Sequence, residues 1–290
     1  MGLLKKMLRI IFRDQIARID LARRAKAILP LNLENKDLKT YATNIYIGHA
    51  GIEMELEEQL EKLKRWKSAY MPLFGVIRKD PNINTQCFGS GYLHNGKYPT
   101  PDAEIYAAMI ADFKPEHIIE IGIGYSTRIA KKILSELHSS CVITAIDPHP
   151  YAEVKGFADK ILYKRVEEVS LEDLRVGPKT LFFIDSSHVT AAGGDVPFLY
   201  NQILPNLPSG TLVHVHDIFT PYDYPYRYQN LFYTEQYVLN SMLAHSERYR
   251  VIFSTHYMSQ KFSAQMQDVF GEIVGKNDLY FGSSFWFEIK

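Results

Sequence analysis

Cysteine is scarce in this sequence, with only Cys87 and Cys141 among 290 residues. Because Cys141 begins an apolar run typical of a buried strand, we expect no disulfide framework and a reducing, cytoplasmic location. No apolar stretch reaches the length of a bilayer span, and no internal repeat or low-complexity tract is present. The formal net charge is zero, which gives no electrostatic reason to expect a nucleic-acid partner.

The composition that remains is that of a globular protein. Hydrophobic residues make up 46% and charged residues 23% of the chain, which excludes a disordered chain and a membrane bundle. We predict one main domain at 91–290 and an N-terminal helical extension at 1–90, joined through a turn-rich segment. Within the extension, leucines at helical spacing with charged residues between them predict a helix at about 52–68.

The charge is nevertheless distributed unevenly. Residues 1–30 carry eight basic and two acidic side chains, a net charge of +6. Their apolar residues recur at three- and four-residue steps and predict a cationic amphipathic helix at 3–29, which is too charged for a bilayer span or a secretory signal. Two interpretations stay open. The helix packs on its own domain or on a second subunit of a homo-oligomer, or it contacts an anionic membrane peripherally.

The most informative motif is an apolar run that ends in Glu120-x-Gly122-x-Gly124-x-Ser126. This pattern is typical of a strand, a glycine turn and the start of a helix. Gly122 and Gly124 allow a ligand to approach the backbone, and Ser126 or Thr127 is suited to cap the helix. A second apolar run ends about 25 residues later in Asp147, where a carboxylate can accept hydrogen bonds from a ribose diol.

The details of the motif favour one nucleotide ligand over another. Thr127 stands where a dinucleotide-binding turn would have its third glycine, and the carboxylate of Glu120 precedes the first glycine. An acid beside the turn suits a cationic or amine-bearing ligand. S-adenosylmethionine (SAM), which has a ribose, a sulfonium and an α-amino group, therefore fits better than NAD. An NAD(P)-binding oxidoreductase remains the alternative.

Strand and helix patterns alternate beyond residue 95. Near-continuous apolar strands separated by helices predict an α/β, Rossmann-like fold, with a mostly parallel sheet covered by helices on both faces. Ligands bind such sheets at the carboxyl ends of the strands. Glu120, Asp147, Asp185 and Asp217 are expected to lie there.

Eight stretches between residues 95 and 290 carry a family resemblance: 98–104, 119–126, 145–148, 164–167, 183–188, 204–210, 213–219 and 235–238. Together they resemble the class I SAM-dependent methyltransferases, in the bacterial branch associated with small molecules and polysaccharides. The resemblance implies a seven-stranded sheet with an antiparallel last strand and direct methyl displacement. The SAM-binding residues that motif and resemblance together predict are Tyr98, Glu120, Gly122, Gly124, Ser126, Asp147, Pro148, Val166, Glu167 and Asp185.

Titratable side chains follow two further strands. His188 comes three residues after Asp185, and His216 immediately precedes Asp217. Either histidine is a candidate general base near neutral pH. Alternatively, Asp185 and Asp217 hold a divalent metal such as Mg²⁺, since enzymes similar to catechol O-methyltransferase place metal carboxylates after these strands.

The stretch that follows is rich in tyrosine and punctuated by proline. Tyr222, Tyr224 and Arg227 are predicted to form a lid over a planar or sugar acceptor. The equal alternative is a rigid loop packed on the edge of the sheet. The predicted function is a SAM-dependent O-methyltransferase that acts on a sugar, glycoside or phenolic metabolite. N-methylation and a non-catalytic scaffold are further alternatives.

Overall fold

One sheet of seven strands organises the residues that the structure describes. The strands are β1 (His117–Ile121), β2 (Val142–Ile146), β3 (Lys160–Leu162), β4 (Thr180–Ile184), β5 (Leu212–Val215), β6 (Tyr249–Ser254) and β7 (Phe285–Ile289). Their order is β3-β2-β1-β4-β5-β7-β6, and only β7 runs antiparallel to its neighbours. The predicted Rossmann-like fold with an antiparallel last strand is therefore confirmed.

The structure is a computed structural model that describes residues 51–85, 93, 95–150, 152–225, 228, 231–271 and 282–290. These residues belong to a unit that extends from Ala42 to Lys290. The predicted cationic helix at 3–29 lies outside the described residues, so its two interpretations stay predictions. No described helix is long and apolar enough to cross a bilayer.

Helices cover both faces of the sheet. They are α1 (Leu56–Ala69), α2 (Met71–Lys79), α3 (Asp102–Phe113), α4 (Tyr125–Glu136), α5 (Leu171–Leu174), α6 (Asp195–Phe198), α7 (Glu235–Leu243), α8 (Thr255–Lys261) and α9 (Ser263–Phe270). Helix α6 continues as π- and 3₁₀-helical turns to Asn206. The sequence did not predict α8 and α9, because β6 passes into α8 with neither glycine nor proline at the boundary.

The strand residues alternate between two hydrophobic cores. Phe182 belongs to the core on one face of the sheet and Phe183 to the core on the other. Trp286 on β7 likewise faces one core, and Phe285 and Phe287 face the other. This alternation follows from the two-residue period of a strand, and it fixes which polar residues at the strand ends can meet.

The helices before residue 80 pack onto this sheet. Trp66 of α1 is completely buried, and its Nε1 donates to a carboxylate oxygen of Asp112 at 2.8 Å. Gln59 accepts a hydrogen bond from the backbone N–H of Ser254 at the end of β6, at 2.9 Å. Helix α1 corresponds to the helix predicted at about 52–68, and it shares its core with the sheet. The boundary at residue 90 stays a prediction.

Candidate functional site

The glycine turn follows β1, which pairs in parallel with β4. From β1 the chain continues towards β2 on one side of this pair, and from β4 it continues towards β5 on the other side. Gly122 has φ +92°, and a Cβ there would lie 2.4 Å from the carbonyl oxygen of Asp185, so only glycine fits without displacing β4. A Cβ on Gly124 would meet no atom within 4 Å. Gly122 therefore allows close strand packing, whereas Gly124 leaves open space above the start of α4.

A cavity of about 500 Å³ opens beside this turn; we call it the glycine-turn cavity. Six of the predicted SAM-binding residues line it: Gly122, Asp147, Pro148, Val166, Glu167 and Asp185. Ile121 and Ile146, the last residues of β1 and β2, supply apolar parts of the cavity wall. One oxygen of Asp147 accepts the backbone N–H of His149 at 2.7 Å, which fixes the carboxylate at the end of β2.

Three other predicted SAM contacts lie behind the cavity wall. Glu120 is completely buried, and it accepts hydrogen bonds from the hydroxyls of Tyr106, at 3.1 Å, and Thr127. Thr127 also accepts the N–H of Gly124 at 3.1 Å, so Glu120 supports the glycine turn from below. Gly124 is the N-cap residue of α4, and its N–H donates to the side chain of Thr127, one of the two residues predicted to cap this helix. The other, Ser126, is buried.

The ring of Tyr98, the third of these residues, is buried against His216 with centroids 4.8 Å apart. Its hydroxyl lies 3.4 Å from both His214 Nε2 and Ser284 Oγ. The structure thus places Tyr98 against His216 and not against the glycine-turn cavity. Tyr98 lies in an irregular segment before α3, which has no periodic pattern from which the direction of its ring could be inferred.

Burial makes Glu120 a pH-dependent element of stability. It raises the pKa of Glu120 from 4.5 to about 7, with a contribution from the charge of Asp185, although the hydrogen bonds from Thr127 and Tyr106 oppose the shift. Folding therefore favours the protonated acid, and its contribution is full below pH about 4.5 and lost as pH rises towards 7. We expect Glu120→Gln to gain about 3 kcal/mol of unfolding free energy relative to the parent across that interval.

Urea unfolding at several pH values measures this difference. Glu172→Gln, which removes an exposed carboxylate on α5, is the matched control and should track the parent protein. A pH-independent difference between Glu120→Gln and the parent would contradict the raised pKa.

A second cavity, of about 450 Å³, is lined by side chains from several elements; we call it the acidic cavity. Its polar lining includes Asp102, Asp185, His188, His216 and Asp217, with Lys97 at the rim. Asp185 and Ser186 line both cavities, so the two cavities meet at the carboxyl end of β4. The structure therefore brings together the four acceptor-side residues that the sequence predicted.

His188 is held between carboxylates. Its Nδ1 lies 2.7 Å from Glu235, and its Nε2 lies 3.2 Å from Asp185 and 3.7 Å from Asp217. Burial alone would lower the pKa of His188, but the hydrogen bonds to Asp185 and Glu235 raise it well above its usual range. Glu235 is completely buried at the start of α7 and accepts a second hydrogen bond from Tyr200.

His216 is held in a similar way. Its Nδ1 lies 3.8 Å from Asp185 and 3.7 Å from Asp217, whereas its Nε2 lies 3.3 Å from Ser283 Oγ and 3.6 Å from Asp102. Burial would lower the pKa of His216, but Asp217 and the other carboxylates raise it well above its usual range. A protonated imidazole cannot accept a proton, so carboxylates alone do not make either ring a base.

The backbone of this cluster adopts an uncommon conformation. His188 has φ +60° and Asp217 has φ +55°, a left-handed geometry that costs non-glycine residues about 1 kcal/mol or more. The carbonyl of His188 accepts the N–H groups of Thr234 and Glu235, at 2.8 and 3.1 Å, which binds it to the start of α7. This contact delivers Glu235 to the site, a residue to which the sequence analysis gave no role.

The residues also fit the predicted divalent cation. Asp185, His216 and Asp217 each offer one donor atom, and these atoms all lie within 4.8 Å of one another. With Asp102 and Glu235, carboxylates outnumber imidazoles around the cavity, so a cation would offset the excess negative charge. His216 thus offers a donor atom beside the predicted pair of metal ligands.

His214, by contrast, is part of the core. Its ring stacks between Trp286 and Phe183, with centroids 3.8 and 4.2 Å away, and it is completely buried. Burial lowers its pKa well below the usual range, and the neighbouring His216 lowers it further. His214 is therefore a neutral packing residue.

The predicted acceptor lid requires correction. Tyr224 is buried, with its hydroxyl accepting the backbone N–H of Gln236 at 3.0 Å, and Tyr222 packs against His256. Neither tyrosine lines the acidic cavity, and Arg227 lies outside the described residues. Tyr228 and Tyr233 from the same segment take that place instead. Because an irregular, proline-punctuated loop has no periodic pattern, the sequence could not show which of its tyrosines face the cavity.

The contacts of these two tyrosines connect the lid to the charged cluster. The hydroxyl of Tyr228 donates to Asp217 at 2.9 Å. The ring of Tyr233 lies over His188, with centroids 4.5 Å apart. Leu231, which is 48% exposed, completes an apolar rim above a charged floor.

Comparison with known proteins gives one family match, to a methyltransferase domain over residues 119–218. An uncharacterized protein of Archaeoglobus fulgidus is 35% identical over 101 residues, a region that covers 34% of this chain and 44% of that relative. A putative O-methyltransferase from Klebsiella pneumoniae has a similar structure, with 15% sequence identity and a TM-score of 0.44. The matched region covers 79% of this chain and 99% of the chain of that protein.

An O-methyltransferase from Bacillus cereus, in complex with S-adenosylhomocysteine (SAH), has 14% identity and a TM-score of 0.41. It covers 87% of this chain and 97% of its own. The region matched by the family agrees with the methyltransferase resemblance seen in the sequence, and it contains the glycine turn, Asp147, Asp185 and Asp217.

Proposed function

We propose that this chain, whose residues 119–218 belong to the methyltransferase domain family, transfers the methyl group of SAM to a hydroxyl of a small polar acceptor. The junction of the two cavities at Asp185 carries the proposal. A donor in the glycine-turn cavity and an acceptor in the acidic cavity would meet there. Direct displacement needs the acceptor oxygen in line behind the methyl group, and proximity of this kind lowers the barrier.

The glycine-turn cavity is suited to SAM in each of its parts. Asp147 offers a carboxylate to the ribose diol, and Val166 and Glu167 border the position of the adenine. The open space at Gly124 leaves room for bound SAM close to the main chain of the turn. Glu120, Tyr98 and Ser126 act indirectly in this proposal, because they support the turn and the cavity floor.

The acidic cavity supplies the proton chemistry that a hydroxyl acceptor requires. Asp185 and Asp217 would hold a divalent cation, which when bound lowers the pKa of a hydroxyl that it coordinates. Of the two candidate bases, His188 is the better placed. Its Nδ1 is fixed against Glu235, and its Nε2 faces the cavity. A cation held by Asp185 and Asp217 would offset the negative charge that keeps this ring protonated, so that the neutral ring could take up the hydroxyl proton.

The rim of the cavity supports a ring-shaped polar acceptor. Tyr228 and Tyr233 offer ring faces above a floor of carboxylates and imidazoles. Such a combination suits a sugar, glycoside or phenol, which presents a flat or apolar face and several hydroxyls. The negative charge of the floor also favours a protonated amine, so N-methylation remains the second candidate and amines belong in any acceptor screen.

Thermal unfolding with ligands tests the cofactor. We expect SAM and SAH at about 100 times their dissociation constants to raise Tm by about 5–10 °C, since binding adds about 2.7 kcal/mol. NAD(P) should leave Tm unchanged. Stabilisation by NAD(P) would indicate the oxidoreductase alternative, and stabilisation by no nucleotide would favour a scaffold. Methyl transfer screened over sugars, phenols and amines then identifies the acceptor.

A further inference from the structure

We infer that His216 is a direct ligand of the cation in the acidic cavity and that the site selects first-row transition-metal ions, such as Co²⁺, over Mg²⁺. The inference rests on the proposed function only in placing a cation between Asp185 and Asp217. It reassigns His216 from a candidate base to a metal ligand. An imidazole nitrogen suits transition metals, whereas Mg²⁺ prefers oxygen ligands and retains several waters.

The position of His216 Nδ1 is the first observation. The ring is 7% exposed, and this nitrogen lies 3.8 and 3.7 Å from the oxygens of Asp185 and Asp217. These separations exceed the N–H···O hydrogen-bond range of about 2.7–3.2 Å. Donor atoms that share one cation at about 2.1 Å lie about 3–4 Å apart. The separations of Nδ1 from the two carboxylates therefore match those between ligands of one cation better than those between hydrogen-bond partners, and the three donor atoms all lie within 4.8 Å of one another.

The other nitrogen of the ring gives the second observation. Nε2 faces Ser283 Oγ at 3.3 Å and Asp102 at 3.6 Å. Asp102 is fixed in turn, because its two oxygens accept the N–H groups of Ser283 and Ser284 at 2.8 and 3.0 Å. A metal-binding histidine usually directs its second N–H to a carboxylate or similar acceptor, which leaves the first nitrogen free for the metal. Asp102 and Ser283 are thus positioning residues for His216.

His188 flanks the carboxylates on the opposite side, within hydrogen-bond distance of Asp185, and keeps its proposed role as the base. Its Nδ1 is 2.7 Å from Glu235, and its Nε2 faces Asp185 and Asp217 at 3.2 and 3.7 Å. Two imidazoles, each with an outer carboxylate, therefore flank one carboxylate pair. The donor set of one His216 nitrogen and two carboxylate oxygens matches the preference of Fe²⁺, Co²⁺ or Zn²⁺ for mixed nitrogen and oxygen ligands. Mg²⁺ prefers oxygen ligands alone.

Metal titration of the metal-free protein tests the inference without an activity assay. Co²⁺ and Mg²⁺ affinities are measured by calorimetry, and Co²⁺ ligation by its visible absorption. His216→Asp keeps an oxygen donor but removes the nitrogen, so the preference for Co²⁺ over Mg²⁺ should fall at least about tenfold and the Co²⁺ bands should shift. Ser283→Ala should weaken Co²⁺ about tenfold or more, since it releases the ring of His216 and the carboxylate of Asp217, to which Ser283 also donates at 3.1 Å. His149→Ala, an exposed histidine, is the control.

The outcomes separate the inference from the proposed function. Unchanged Co²⁺ bands and an unchanged metal preference in His216→Asp overturn the inference, and so does equal or tighter Mg²⁺ binding by the parent protein. If His216→Asp does not fold, the Ser283→Ala measurement decides in its place, and Co²⁺ affinity equal to the parent's counts against the inference. The same samples are heated with SAH. The expected metal results without stabilisation by SAH would contradict the proposed function and leave His216 as a ligand.

Discussion

Asp185→Asn and Asp217→Asn should each lower kcat by at least about 10³-fold, equal to about 4 kcal/mol of transition-state stabilisation. Each change replaces a charged oxygen ligand at the junction where acceptor and methyl donor are proposed to meet. Chelator should abolish turnover by the parent protein, and a divalent ion should restore it. Turnover is measured with an acceptor from the screen of sugars, phenols and amines.

The two carboxylates should differ in their effect on the cofactor. Asp185 lines both cavities, whereas Asp217 lines only the acidic one, so SAH affinity should be kept in Asp217→Asn. Asp223→Asn is the matched control, because Asp223 lies in the neighbouring loop, where it accepts a hydrogen bond from Tyr237, and lines neither cavity. It should retain turnover.

A base that acts without metal predicts a different pattern. Turnover would then survive chelator, and His188→Ala would lower kcat by about 10²–10⁴-fold with SAH binding kept. Full activity in chelator, together with full activity of both His188→Ala and His216→Ala, would contradict metal assistance and histidine catalysis alike. Proximity of acceptor and donor would then be the only source of catalysis.

The second large effect concerns cofactor affinity. Asp147→Ala should weaken SAH binding by about 100-fold or more, because hydrogen bonds to a charged group contribute about 1.5–3 kcal/mol each and a diol makes two. Asp147→Asn, which keeps one acceptor oxygen without the charge, should lose less. Calorimetry with SAH gives both affinities.

The fold should survive these changes, because Asp147 follows β2 at the edge of the glycine-turn cavity and lies outside the two cores. Circular dichroism and the unliganded Tm verify this. Glu172→Ala, an exposed carboxylate outside the cavity, controls for the loss of one negative charge. An Asp147→Ala protein that folds and binds SAH as tightly as the parent would remove Asp147 from the proposed ribose site.

The sheet and the residues at the ends of its strands could be predicted from local sequence patterns. Apolar runs that terminate in Asp147 and Asp185, and the glycines between them, are local patterns with a fixed period. Parallel strands bring their carboxyl ends to one edge. The glycine-turn cavity was therefore predictable in most of its lining, and so was the meeting of Asp185, His188, His216 and Asp217.

Which polar side chains face a cavity and which support it from behind depends on packing between distant elements. Glu120 lies inside β1, where a carboxylate beside a glycine turn has the same sequence pattern whether it faces ligand or core; packing against Tyr106 and Thr127 places it inside. The same holds for the loop tyrosines: Tyr228 and Tyr233 face the acidic cavity, whereas Tyr222 and Tyr224 do not. An irregular loop has no period from which the direction of a side chain could be inferred.

The outer partners of the two histidines were also beyond the reach of the sequence. Glu235 meets His188 across 47 positions of chain, and Ser283 meets His216 across 67. Local patterns report the period and the ends of an element, but they carry no information on which distant element packs against it. The identity of those neighbours decides whether a buried imidazole is protonated, free as a base or directed at a metal, because burial and charge together set its state.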